Sequence, residues 1–246
     1  MTEVDIVAIL VGVLIGAIVK AIAGMGLPLF AIPIAALFVG VETAVVVVGL
    51  PNLVSNSMLM VEHRSGSTET SYLRELIGWG VVGAAVGTAL LASLDERILM
   101  LVLAVAVAVY LVVSLRDQSF AWSPTVARRG TPAVGFAGGL FQGAIGISGP
   151  IVASWIHGLR LSRPAFVYTI STMFGITTAI QLVSITVLGL WTVERFVLAI
   201  VGSVLVALVT PVMMRVGRKV SGVWFDHLIL GLLALSAVSL VLRAVI

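Results

Sequence analysis

The chain has 246 residues, of which 60% are hydrophobic and only 10% charged, and its mean hydropathy is +1.22. A water-facing domain carries about 25% charged residues, so a soluble globular protein is excluded and lipid is the solvent this exterior needs. The net charge of +3 is scattered over short loops, which points to topology rather than to a nucleic-acid partner, and the lack of cysteine excludes disulfides and thiolate metal sites.

An apolar stretch of about 20 residues is long enough to span a bilayer as a helix. The first, 5–23, follows the acidic start Met1-Thr2-Glu3-Val4-Asp5. A cleaved signal peptide begins with positive charge, so this helix is expected to be retained. A short piece, 28–40, follows across a Gly/Pro break, and long spans at 43–61, 73–93 and 98–115 complete a first unit over residues 1–115. The polar stretch 116–131 reads as a cytoplasmic linker. The second unit, 132–246, repeats the order, with short pieces at 132–145 and 150–158 and spans at 164–188, 196–214 and 228–245.

Charge distribution decides how the opening pieces run. If each pair goes in and returns as a hairpin (5–40 and 132–158), ten basic residues share one side: Arg64, Arg74, Arg116, Arg128, Arg129, Arg160, Arg163, Arg215, Arg218 and Lys219. Three lie opposite, Arg97, Arg195 and Arg243, together with Glu3, Asp5, Glu42, Asp95, Glu96 and Glu194. A single crossing per pair splits the same residues almost evenly. The positive-inside rule therefore favours the hairpins and places both termini outside the cytoplasm. An odd number of crossings per unit turns the second unit upside down, the inverted-repeat plan of many secondary transporters. The expected fold is thus an all-α integral membrane protein of two inverted-topology repeats. Each is a broken, Gly/Pro-interrupted helical hairpin followed by three transmembrane helices.

The repeat is legible in the residues. Gly16-Ala-Ile-Val-Lys-Ala-Ile-Ala-Gly-Met-Gly-Leu-Pro28 lies over Gly138-Gly-Leu-Phe-Gln-Gly-Ala-Ile-Gly-Ile-Ser-Gly-Pro150, matching Gly16 to Gly138, Gly24 to Gly146 and Pro28 to Pro150. Through Gly24-Met-Gly-Leu-Pro28 and Gly143-Ala-Ile-Gly-Ile-Ser-Gly-Pro150, the chain resembles the TauE/SafE group of sulfite and sulfonate exporters over nearly its full length. The resemblance implies transport, with export favoured, of a small sulfur oxyanion or other organic anion. Its first motif carries fewer glycines than is common in that group, which leaves room for a different anion.

The breaks have a physical use. Irregular backbone persists at membrane depth only where protein or a water-filled cavity satisfies it. Pro28 and Pro150 are read as the first residues of the half-helices that follow, since proline has no N–H to lose there. The freed amides, at the positive helix ends, then suit an anion. The expected substrate-binding set at the breaks is Lys20, Gly24, Met25, Gly26, Leu27 and Pro28 with Gln142, Gly146, Ile147, Ser148, Gly149 and Pro150. From the long helices it adds Asn52 and Asn56, and Ser171, Thr172 and Gln181.

Each of these residues also has a plainer reading. The stripes Gly12/Gly16/Gly24 and Gly135/Gly139/Gly143 suit close helix packing. Lys20, a basic residue within a predicted span, either draws the anion or snorkels to the interface. Ser55, Thr178 and Gly175 share faces with the polar set, and such groups equally bond neighbouring helices. Glu42 and His157 fit proton coupling or solvated loop ends, and Trp79, Trp122, Trp155, Trp191 and Trp224 fit membrane interfaces. An intramembrane phosphatase of lipid carriers is the alternative of another class. It lacks a mid-span carboxylate and an Arg- or His-supported nucleophile here, and no His-Glu-x-x-His pattern occurs. No catalytic residue, metal ligand or cofactor is therefore expected. The partners are a small anionic substrate and membrane lipid, and the place a cell membrane crossed many times.

Overall fold

A computed structural model describes residues 1–70, 72–114, 121–217 and 239. Apart from residue 239, the expected helix over 228–245 lies outside the described residues, as do Trp224 and the basic residues Arg116, Arg218, Lys219 and Arg243. Among the described residues the fold is all helical: α1 (Glu3–Ala23), α2 (Leu27–Val39), α3 (Val41–Glu62), a 3-10 segment (Arg64–Glu69), α4 (Leu73–Ser93), α5 (Glu96–Ser114), α6 (Pro124–Ile145), α7 (Gly149–His157), α8 (Arg163–Val187) and α9 (Val193–Gly217). Five of them, α1, α3, α4, α8 and α9, are long and apolar enough to cross a membrane, and α2 is a shorter apolar helix.

Local sequence sets the helix starts. Thr2 accepts from the Asp5 amide, and the Asp5 carboxylate takes the Thr2 N–H at 2.7 Å, a reciprocal cap that satisfies two otherwise orphaned donors. Ser123 caps α6 through the Val126 amide, and Ser162 caps α8 through Ala165. The Ser123 cap begins α6 inside the stretch read from sequence as linker. Hydropathy stops at the lipid boundary, whereas a capped helix carries Arg128 and Arg129 on into the interface.

Contacts sort the helix ends onto two faces. On one, the Met1 amino group meets Glu194 at 2.6 Å, Arg195 meets Glu42 at 2.8 Å, and Glu96 accepts the Val41 amide at 2.5 Å. The starts of α1, α3, α5 and α9 therefore lie together. On the other, Gly66 packs on Pro164 and Ala165, Glu69 accepts the Ser162 amide, and the Trp122 amide donates to the Gly158 carbonyl. Met214 joins Glu62 and His63 there. Seven described basic residues belong to this second face (Arg64, Arg74, Arg128, Arg129, Arg160, Arg163 and Arg215), and Arg97 and Arg195 to the first.

The closest helix pair is α4 with α6. The two run parallel and almost touch backbone to backbone: a Cβ on Gly139 would stand 2.0 Å from the Gly80 carbonyl oxygen. Only glycine permits that approach, and in lipid such contact replaces the missing hydrophobic drive between helices. Gly12 and Gly16 play the same part against Ala31 and Leu27 of α2. A core that draws on α1, α2, α3, α5 and α9, including Val13, Leu27, Val45, Leu103 and Ala199, is closed to the surroundings.

Candidate functional site

The two breaks have the same construction. α1 ends in the left-handed Gly24 (φ 85°), whose N–H returns to the Lys20 carbonyl at 2.8 Å. α6 ends in the left-handed Gly146 (φ 70°), whose N–H returns to the Gln142 carbonyl at 2.9 Å. After three intervening residues a new helix starts: α2 with Gly26 as its cap residue and α7 with Ser148. A shift of 122 residues carries Ala23 onto Ile145, Leu27 onto Gly149 and Val41, the start of α3, onto Arg163, the start of α8. Pro28 and Pro150 occupy the second helical position rather than the expected first. The chemistry is unchanged, because the second N–H of a helix is also without an intrahelical partner.

The breaks face each other across one small cavity. Lys20, Met25, Gly26 and Pro28 line it from the first, and Gln142, Gly146, Ile147, Ser148 and Gly149 from the second. Its volume is about 20 Å³, room for one or two waters at ~10–15 Å³ each. Leu29, Tyr110 and Phe174 complete the wall; sequence reasoning did not single them out. Tyr110 had a faint signal as the one aromatic residue of α5, while Phe174 and Leu29 look like any other apolar helix residue.

Beside the cavity runs a buried polar network. Lys20, 1% exposed, donates from Nζ to Asn52 Oδ1 at 2.8 Å and to Asn56 Oδ1 at 2.6 Å. Asn52 Nδ2 donates to Thr178 Oγ1 at 3.1 Å, which also accepts from Gln142 Nε2 at 3.2 Å. Ser148 Oγ donates to Gln142 Oε1 at 3.2 Å. Gln181 Nε2 fills the Gln142 carbonyl at 2.7 Å, while its Oε1 accepts from Gln142 Nε2 at 3.3 Å. One chain of hydrogen bonds thus runs from the buried ammonium of Lys20, across α3 and α8, to the cap residue of the second break. The snorkelling alternative for Lys20 does not hold: its ammonium is enclosed by amide oxygens rather than extended to an interface. Burying a charge is costly unless hydrogen bonds satisfy it. Here the neutral carbonyl oxygens of Asn52 and Asn56 do so, and no carboxylate among the described residues takes part.

Not every expected residue reaches the cavity. Leu27 is core, and Pro150 is buried behind the wall. Gly24 lines a second cavity of about 250 Å³ with His63, Arg163 and Val167, which opens on the basic face. Ser171 is buried with its hydroxyl unpartnered, and Thr172 bonds the Tyr168 carbonyl of its own helix at 2.7 Å. Glu42 is taken up by Arg195, and Trp155 stacks on Trp122 and donates to Thr131 on the basic face.

Compared with known proteins, residues 8–240 match the family model described as Sulfite exporter TauE/SafE. No curated protein and no solved structure matches the chain.

Proposed function

Since the chain belongs to the sulfite exporter TauE/SafE family of membrane transporters, we propose that it carries sulfite or a small organosulfonate out across the cytoplasmic membrane, the anion resting between the two helix breaks. The observation that carries this reading is Lys20, a buried ammonium on the cavity wall whose hydrogen-bond partners among the described residues are neutral side chains. An ammonium has three N–H donors. Two go to Asn52 and Asn56, and the third is left for an oxyanion. The amides at the starts of α2 and α7, together with the Ser148 hydroxyl, supply the remaining donors.

We read the halves as inverted repeats. The shared 122-residue register of caps and helix starts supports this, as does the parallel run of α4 and α6, which requires that the second half start from the face on which α4 starts. We take the excess of arginine on that face as the sign of the cytoplasmic side, with the starts of α1 and α9 outside. A cavity with room for one or two waters is too small for sulfite, so loading must part the walls. Rocking of one repeat against the other, opening the cavity to each side in turn, meets that need. The larger cavity by Gly24, His63 and Arg163 then serves as the cytoplasmic approach.

Proteoliposomes containing the full chain are expected to release preloaded sulfite with saturable kinetics. Lys20→Gln should slow that release at least about tenfold, the worth of one charge-assisted hydrogen bond, while the protein still melts cooperatively. Release at the protein-free rate for sulfite and for every sulfonate tested would end the proposal.

A further inference from the structure

We infer that the cavity selects its cargo by valence, accepting oxyanions with one negative charge and rejecting dianions. This rests on the proposed function and sharpens it.

The inference follows from the charge inventory of the site. Among the described residues lining the cavity, Lys20 is the only ionic side chain, and Tyr110 is the only other that titrates. The groups turned toward Lys20 from the packed helices are neutral: Asn52 and Asn56 on its Nζ, and beyond them Thr178, Gln142 and Ser148. Helix ends do not alter the count. At each break the positive end of the half-helix stands beside the negative end of the longer helix before it: α2 starts at Leu27 where α1 stops at Ala23, and α7 starts at Gly149 where α6 stops at Ile145. The two half-charges offset. The breaks therefore give hydrogen-bond donors but almost no net charge, and the site carries one positive charge in total.

A singly charged anion makes the loaded site neutral at a depth where net charge is expensive. A dianion leaves one negative charge without a partner among amides and apolar walls. The second half carries the residue that sets this limit: the repeat mate of Lys20 is Gln142, of similar length but uncharged.

Binding to the purified full-length protein, read as thermal stabilisation, tests the inference with methanesulfonate, sulfate and sulfite at matched ionic strength. Methanesulfonate is expected to bind at least about tenfold more tightly than sulfate. Sulfite has one charge as hydrogensulfite in mild acid and two in mild base. The ratio of its affinity to that of methanesulfonate should therefore fall as pH rises, by about tenfold per unit once the dianion dominates. Any titration of Lys20 or Tyr110 acts on both ligands and cancels in that ratio. Gln142→Lys, which adds a second cation, should shift the preference toward sulfate. Sulfate binding as tightly as methanesulfonate, or a ratio that stays flat or rises with pH, overturns the inference and leaves the anion site standing. Absence of stabilisation by all three anions overturns the anion site and the inference together.

Discussion

Lys20 is buried yet meets no acid among the described residues, and its two amide partners one turn apart on α3 are what make it tolerable there. Asn56→Leu removes one acceptor while keeping most of the volume. It should cost about 1–3 kcal/mol, the usual penalty for a buried donor left unsatisfied, seen as a lower melting temperature. The left-handed glycines are constrained for another reason. At Gly146 (φ 70°) a Cβ would stand 2.2 Å from Ile32 Cδ1, so Gly146→Ala combines about 1–2 kcal/mol of backbone strain with a clash between the second break and α2. A denaturation series should find it clearly less stable than wild type. At this scale the sequence was informative about kind but not about company. An intramembrane lysine, asparagines and glutamines are conspicuous in an apolar chain. That Lys20, Asn52, Asn56, Gln142, Ser148 and Gln181 join in one network while Ser171 and Thr172 do not depends on how α3, α6 and α8 are rotated about their axes. No local pattern encodes that rotation.

Glycine has two jobs among the helices. In the stripes at Gly135, Gly139 and Gly143 it sets interhelical distance, and the i+4 spacing made that legible. The partner was not legible, because Gly80, Gly83 and Gly87 on α4 form a less regular row. Gly139→Leu should force α4 and α6 apart, at a cost of about 1–3 kcal/mol or more, and lower the yield of folded protein on size-exclusion chromatography. Gly78, on the same α4, has no atom within 4 Å of where its Cβ would be. Gly78→Ala should be neutral or stabilise the helix by about 0.5–1 kcal/mol. Equal damage from both substitutions would show that close packing at Gly139 does not set the cost. The breaks were legible as elements because glycine and proline interrupt an otherwise unbroken apolar pattern. Their one-residue offset from the expected start is an end effect: the second N–H of a helix also lacks an intrahelical partner, so proline loses no hydrogen bond there.

For the whole molecule, the native chain has no cysteine, so single introduced cysteines report sidedness without background. Cysteines at Ser67 and Ser123 are expected to react with an impermeant reagent from one face and those at Thr2 and Asp95 from the opposite face. Labelling of Ser67 and Ser123 from different faces would break the inverted arrangement. The sequence by itself determined that the chain lives in lipid, that the described residues are helical, where most of those helices lie, which of the described charged ends share a face, and where the two breaks fall. Those properties are sums over local residues: apolar length sets spans, charge sets sidedness, and glycine with proline sets interruptions. Only the tertiary structure decided that the breaks meet at one cavity, that Lys20 is enclosed by neutral amides, and that α6 lies on α4 closely enough to exclude any side chain. Those depend on which faces of distant helices are turned together, and in a chain that is apolar on nearly every face hydropathy cannot distinguish a face turned to lipid from one turned to protein.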